Sequence, residues 1–105
     1  MMDKAVRELV FQRSKGRCEA CGKPLPESWD FSHRKSRGQG GEDTPQNGMA
    51  ICHYPCHMVD VENHPVLARQ KGWRVRSTEE PLDIPILLYG TRKVFLTEDG
   101  GYRNG

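Results

Sequence analysis

Two closely spaced cysteine pairs constrain what this chain can fold into. Cys18 and Cys21 form a C-x2-C pair, and Cys52 and Cys56 form a C-x3-C pair. Zinc prefers four soft ligands in a tetrahedron, and two close pairs supply them at a small cost in loop entropy. We therefore predict one structural zinc ion held by all four cysteines, with Gly22 in the permissive turn after the first pair.

The composition explains why such a metal site would matter. Of the 105 residues, 35% are hydrophobic and 29% are charged, and the chain contains 11 glycines and 7 prolines. A chain of this kind buries a small core, and small proteins of this type commonly depend on a metal or on disulfides.

The cellular compartment decides whether paired cysteines bind a metal or form disulfides. The opening residues MMDKAVRELV are charged, without a continuous apolar run, and no stretch approaches the ~20 apolar residues of a membrane span. We therefore expect a cytoplasmic protein without membrane association, where paired cysteines more often bind zinc than form disulfides. Two disulfides, or four unrelated thiols, are the alternatives.

Apolar periodicity predicts helices and strands in the first half of the chain. Helical spacing predicts a helix over residues 3–14, with Asp3 as its N-cap. The alternation in SWDFSH predicts a strand, and MAIC predicts a second short strand. The polar, glycine-rich stretch between them, SRGQGGEDTPQNG, predicts a long loop.

The second half of the chain continues this α+β pattern. We expect a helix over about residues 56–71, broken at His64-Pro65, then a β-hairpin from IPILLY and KVFLT, and a frayed tail. The whole chain, residues 1–105, is predicted to form one domain, with a core over about residues 12–72 and a hairpin extension over about residues 73–99.

Basic residues form local clusters although the net charge is only +2. One cluster, Arg34, Lys35 and Arg37, directly follows His33. Local positive charge beside a candidate site suits a phosphate backbone, so we predict that Arg34 and Arg37 contact DNA phosphates. The alternative is that these charges are solvated loop residues.

A histidine, an asparagine and a second histidine lie among the cysteines, at His33, Asn47 and His57. The segments that contain them, SHRKSRGQGG, QNGMAIC and CHMVDVENHP, resemble the HNH endonuclease family, and most of all small phage HNH proteins. The similarity extends over roughly residues 12–102. It implies an α+β fold of the ββα-metal (His-Me finger) type, stabilised by zinc, with an N-terminal helix and a C-terminal β-hairpin.

The resemblance also implies roles for the three residues. His33 matches the general base, Asn47 the residue that braces the loop, and His57 a ligand of a catalytic Mg²⁺, Mn²⁺ or Ni²⁺ ion. Phosphodiester hydrolysis needs a base for water, which an imidazole can be near neutral pH, and an ion that stabilises the leaving 3′-oxygen. The alternatives are a surface histidine at 33, a turn residue at 47 and a zinc ligand at 57.

The ligand set of the catalytic ion departs from the family pattern. Many members carry His or Asp just before the base, where this chain has Ser32, and a second helix ligand where it has Val61. A hydroxyl is a weak ligand for such ions, and valine is none. The residues that can help His57 are Asp30, Ser32, Asp60, Glu62 and His64.

We therefore predict a metal-dependent endonuclease that hydrolyses DNA. Phage packaging (terminase) proteins are possible further partners by the same resemblance, and a phage-encoded protein would act in the cytoplasm of the bacterial host. The alternative is a catalytically weak or silent zinc module that binds DNA or serves a packaging machine.

Overall fold

Helix α1 (Lys4–Ser14) begins at the predicted N-cap. Asp3 Oδ1 accepts hydrogen bonds from the backbone N–H groups of Ala5 at 2.9 Å and Val6 at 3.4 Å. The structure, a computed structural model, describes residues 3–105. No helix in this described part has the length and apolar character needed to cross a membrane.

Two antiparallel strands follow and present the candidate site. Strand β1 (Asp30–His33) pairs with β2 (Gly48–Ile51), with His33 opposite Gly48. The loop between the strands contains one 3₁₀ turn, Arg37–Gln39. Both strands lie where the apolar alternation predicts them.

The helical region after β2 has two parts. Segment α2 (His53–Val61) contains π-type hydrogen bonds, with the His57 N–H donating to the Cys52 carbonyl at 3.1 Å, but it is kinked at Tyr54, whose backbone is extended (φ −135°, ψ 131°). Helix α3 (Pro65–Gln70) is separate from it, so the predicted break at His64-Pro65 is confirmed. The order β1–β2–α2, with α1 before it, gives the predicted small α+β fold.

The C-terminal sheet is larger than predicted. Strands β3 (Ile86–Leu88) and β4 (Arg92–Leu96) form the expected hairpin, and β5 (Tyr102–Asn104) pairs with β4 on its other side. The prediction of a frayed tail is therefore wrong. The Tyr102 hydroxyl donates to Glu19 at 2.7 Å, and this contact holds the tail against the N-terminal part of the chain.

One hydrophobic core joins the two sheets. Buried side chains from β2, α2, β3 and β4 pack together, including Met49, Ile51, Val61, Ile86, Leu88, Val94 and Leu96. Cys18, Cys52 and Cys56 belong to the same cluster, as does Trp73. The C-terminal sheet therefore supports the cysteine region directly.

A buried ion pair lies at the centre of the fold. Arg13 Nε and Nη2 donate to the two carboxylate oxygens of Glu19 at 2.8 and 2.7 Å, and the two side chains are 1% and 0% exposed. Arg13 also donates to the carbonyls of Pro45 at 2.7 Å and Gly48 at 2.8 Å. Burial lowers the pKa of Arg13, but Glu19 outweighs it and the pKa is raised.

Both carboxylate oxygens of Glu19 accept a further hydrogen bond. Glu19 Oε1 accepts the Ala50 N–H at 2.8 Å, and Oε2 accepts the Tyr102 hydroxyl. A buried pair is retained only when its remaining donors and lone pairs find partners, and here they do. The pair thus connects α1, β2 and β5.

Arg34 is part of this interior and does not reach a ligand. It is 0% exposed, and its guanidinium donates to the carbonyls of Gly72, Gln46, Pro81 and Ile84 at 2.5–2.9 Å. Burial lowers its pKa to about 10. The prediction that Arg34 contacts a DNA phosphate is therefore wrong. Its N–H donors are bonded to backbone carbonyls, and the side chain is not accessible to solvent.

Replacing Glu19 by alanine is expected to lower the free energy of unfolding by about 3–5 kcal/mol, because it leaves the Arg13 charge buried without a partner. Urea unfolding followed by circular dichroism measures this. Tyr102→Phe, which removes one hydrogen bond to Glu19, should cost about 1–3 kcal/mol and serves if the first variant does not fold. The exposed Glu8→Ala is the control, and equal stability of all three proteins would contradict the assignment.

Arg34→Ala should lower the free energy of unfolding by at least about 2 kcal/mol, since several buried carbonyls lose their donor together. Arg37→Ala, at an exposed position of the same loop, should change it by less than about 0.5 kcal/mol. The same urea titration compares the two variants. A similar small effect at both positions would mean that Arg34 does not tie the loop to the C-terminal part.

Candidate active site

The four cysteines form one cluster. Their sulfur atoms all lie within 4.8 Å of one another, and none is in a disulfide. Cys18 Sγ is 3.7 Å from Cys56 Sγ and accepts the backbone N–H groups of Cys21 and Cys52, each at 3.4 Å. Four sulfur ligands with supporting N–H donors fit a closed structural metal site.

A tight turn and the start of α2 position these sulfurs. Cys18 N–H donates to the Lys23 carbonyl at 2.7 Å, and Gly22 N–H donates to the Cys18 carbonyl at 2.8 Å. Gly22 has φ +81°, and a Cβ there would lie 3.0 Å from the Arg17 guanidinium. Cys52 precedes α2 and Cys56 lies within it, after the kink at Tyr54, so the cluster ties the two regions together.

The contact between the two closest thiols separates their acidities. It lowers the pKa of Cys18 to about 5 and raises that of Cys56. One sulfur is therefore an anion at neutral pH before any ion binds, which is the form in which sulfur ligates metals.

An open cleft lies between α1, β1 and α2. Its lining residues are Arg7, Asp30, Phe31, His33, Arg37, His53, His57 and Met58. The cleft therefore brings together His33 and His57, which are far apart in sequence, and places positive charge beside them.

His33 is fixed in the cleft by a carboxylate. His33 Nε2 lies 2.7 Å from Asp43 Oδ1, and Arg37 Nη2 donates to both Asp43 oxygens at 3.1 and 3.0 Å. The His33 contact, followed by that of Arg37, lowers the pKa of Asp43, which is thus a carboxylate at neutral pH. Among residues 3–105, His33 Nδ1 has no hydrogen-bond partner.

Packing also holds the His33 ring. The Phe31 ring meets it edge-on, with centroids 5.1 Å apart. Phe31 occupies the space above Gly48, where a Cβ would lie 1.9 Å from Phe31 Cζ. The glycine across the strand pair therefore permits the ring arrangement beside His33.

Asn47 closes the loop that follows His33. Its Oδ1 accepts the Lys35 N–H at 2.7 Å, and its Nδ2 donates to the carbonyls of Lys35 and Glu42, both at 2.9 Å. The Arg34 N–H donates to the Asn47 carbonyl at 2.7 Å. The side chain is buried and thus connects the two ends of the loop that carries Asp43.

A second cluster of ligand-type side chains lies on the other side of the cleft. Asp30 Oδ2 is 2.7 Å from Nδ1 of His57 and 2.7 Å from Nδ1 of His53, and the three ligand atoms all lie within 4.8 Å of one another. Burial raises the pKa of Asp30, but the contacts with His57 and His53 outweigh it, and the pKa is lowered. An ionised carboxylate and two imidazoles fit a divalent metal ion.

The other predicted helpers of His57 lie outside this cluster. Glu62 Oε1 is 3.2 Å from His57 Nε2, the ring nitrogen that faces away from Asp30. Ser32 is buried in β1, and neither Asp60 nor His64 belongs to a metal-type group within the described residues. Of the predicted helpers, the structure groups only Asp30 with His57.

The sequence reasoning missed His53 and Asp43. His53 precedes His57 by four positions, and a His-x3-His spacing is a known signal of paired metal ligands. Asp43 has no such signal, because it stands next to Glu42 in a polar loop and only the folded loop shows which carboxylate meets His33.

The comparisons agree with this geometry. The sequence model of the HNH endonuclease family matches residues 18–58. No curated protein and no solved structure matches the chain. The matched segment starts at the first cysteine of the cluster and ends just after His57, so it contains both cysteine pairs and the histidines of the cleft. Residues 18–58 are therefore similar to the HNH endonuclease family.

Proposed function

We propose that this chain hydrolyses DNA phosphodiester bonds with His33 as the general base. One observation carries the proposal. His33 is held through Nε2 by Asp43, while its Nδ1 has no partner in the described residues and its ring lines the same cleft as the Asp30, His53 and His57 cluster. A base and a metal-type cluster facing one cleft are the two parts that phosphodiester hydrolysis needs.

The contact with Asp43 assigns the two ring nitrogens of His33. A neutral imidazole carries one N–H, and donation of that N–H from Nε2 to the carboxylate places the lone pair at Nδ1. Nδ1 then accepts the proton of an attacking water. Asp43 stabilises the resulting imidazolium, and Arg37 keeps the carboxylate in position.

Asn47 and Phe31 act by positioning the base. Asn47 fixes the loop ends at Lys35 and Glu42, so the neighbouring Asp43 stays within reach of His33. Phe31 limits the rotation of the His33 ring from the other side. Placement of this kind matters because a displacement of about 1 Å in an active site can cost about a hundredfold in rate.

The remaining contributions come from charge. A divalent ion held by Asp30 and His57 would supply the positive charge that stabilises the leaving 3′-oxygen. Arg7 and Arg37 line the cleft and are placed to meet the DNA backbone. Arg7 is held by its donation to the Trp29 carbonyl at 2.9 Å and by stacking 3.8 Å above the Trp29 ring. We assign to Arg7 the phosphate contact that the buried Arg34 cannot make.

The four-cysteine cluster is assigned zinc in a structural role. Four thiolates complete a tetrahedron and leave no position for water or substrate. The predictions of phage origin, packaging partners and cytoplasmic location stay predictions.

The purified protein is expected to contain one zinc ion per chain, and a strong chelator should unfold it, because the metal holds the turn at Cys18 to the start of α2. Elemental analysis measures the zinc, and circular dichroism measures the unfolding. The same chelator saturated with zinc is the control. Zinc-free protein with an unchanged fold would refute the assignment.

Wild-type protein is expected to nick supercoiled plasmid in the presence of a divalent ion, and His33→Ala should lower the rate about 10²–10⁴-fold, because the attacking water loses its base. Agarose gels of plasmid incubated with Mg²⁺, Mn²⁺, Co²⁺ or Ni²⁺ give the rates. Arg92→Ala, an exposed change on β4 outside the cleft lining, is the control.

DNA binding in parallel gel-shift experiments separates the alternatives. Salt-sensitive binding without cleavage under any of the four ions would favour the silent DNA-binding module. Cleavage by His33→Ala at the wild-type rate would remove His33 from the role of base.

A further inference from the structure

Of the residues predicted to help His57 hold an ion, the structure groups only Asp30 with it, which gives two ligands. We propose that His53 is the missing ligand, and that Asp30, His53 and His57 together make the cleft select late first-row divalent ions such as Co²⁺ and Ni²⁺ over Mg²⁺. The inference rests on the proposed function in that it concerns the ion of the same cleft.

Three ligand atoms converge in the cleft. Nδ1 of His53, Nδ1 of His57 and Oδ2 of Asp30 point to one spot, with each nitrogen 2.7 Å from the oxygen. The three side chains come from β1 and from the two sides of the kink at Tyr54 near the start of α2. The spot opens on the cleft that His33 also lines, so an ion there would have free positions for a phosphate and water.

His57 is also supported on its far side by a carboxylate. Its other ring nitrogen, Nε2, lies 3.2 Å from Glu62 Oε1, and Arg74 Nη2 donates to the same oxygen at 2.8 Å. Ligating histidines characteristically donate their remaining N–H to a carboxylate, which fixes the ring and its tautomer. In a neutral ring, that donation leaves the Nδ1 lone pair directed at Asp30 and His53, where a cation satisfies all three groups.

Glu62 therefore positions the His57 ring and is not itself a ligand. It faces the nitrogen of His57 that points away from the cluster, and Arg74 holds it there. Ser32 is buried in β1, and His64 is exposed ahead of α3. His53 is thus the residue that raises the ligand count from two to three.

The chemistry of the three ligands sets the preference. Mg²⁺ binds oxygen ligands and keeps most of its water, whereas imidazole nitrogen suits Co²⁺, Ni²⁺ and Zn²⁺. Two of the three ligands here are imidazoles. The single carboxylate of Asp30 is too little to favour Mg²⁺ over these ions.

Metal binding by protein that already contains one zinc per chain tests the inference. Co²⁺ titrated calorimetrically and by its visible absorption should bind one further site, and His53→Ala should weaken this site at least about tenfold, as loss even of a residue supporting a ligand does. His64→Ala is the matched control and should bind as wild type. Zinc measured before and after the titration shows whether Co²⁺ has entered the cysteine cluster.

A reversal variant sharpens the test. In wild type, about a hundredfold excess of Mg²⁺ should fail to displace Co²⁺, while in His53→Asp, with two carboxylates and one imidazole, it should displace a large fraction. Co²⁺ binding by His53→Ala at wild-type strength, or ready displacement by Mg²⁺ from wild type, would overturn the inference.

The plasmid assay keeps the two proposals separate. Co²⁺ binding that depends on His53, without plasmid nicking, would support the inference and remove the proposed function. Mg²⁺-dependent nicking that is unchanged in His53→Ala would support the proposed function and overturn the inference.

Discussion

The buried pair of Arg13 and Glu19 holds the parts of this molecule in one arrangement. Arg13 belongs to α1 and binds the carbonyl of Gly48, while Glu19 stands between Cys18 and Cys21 and binds the N–H of Ala50. The pair thereby fixes β2 relative to the cysteine turn. Since β2 pairs with the strand that ends at His33, the position of His33 depends on an ion pair that lies outside the cleft lining.

Local signals in the sequence predicted most elements of the fold. Asp3 marked the start of α1, and Pro65 marked the break before α3. Strand β5 escaped prediction because nothing local favours it, and its contact with Glu19 joins residues 83 positions apart. Arg34 was misread for a related reason, since a buried and an exposed arginine look alike until the carbonyls around them are known.

The residues of the candidate site likewise comprise some that the sequence predicted and some that it did not. Spacing predicted that the cysteines form one cluster, which the structure shows, and the family resemblance predicted roles for His33, Asn47 and His57. Of the two carboxylates that contact these histidines, Glu62 was predicted as a possible helper of His57, whereas Asp43 was not predicted. Asp43 meets His33 from the loop that Asn47 closes, and Glu62 reaches His57 from the end of α2. Such partners are selected by the folded backbone, and sequence distance carries little information about them.

The meeting of Phe31 and Gly48 has a consequence for substitution. The Phe31 ring fills the volume that a side chain at 48 would occupy, so the combined volume of the side chains at positions 31 and 48 is limited. A chain that carried alanine at 48 would need a smaller residue at 31, and would then lose the aromatic edge beside His33. Natural variation at the two positions is therefore expected to be correlated, with glycine at 48 accompanying an aromatic ring at 31.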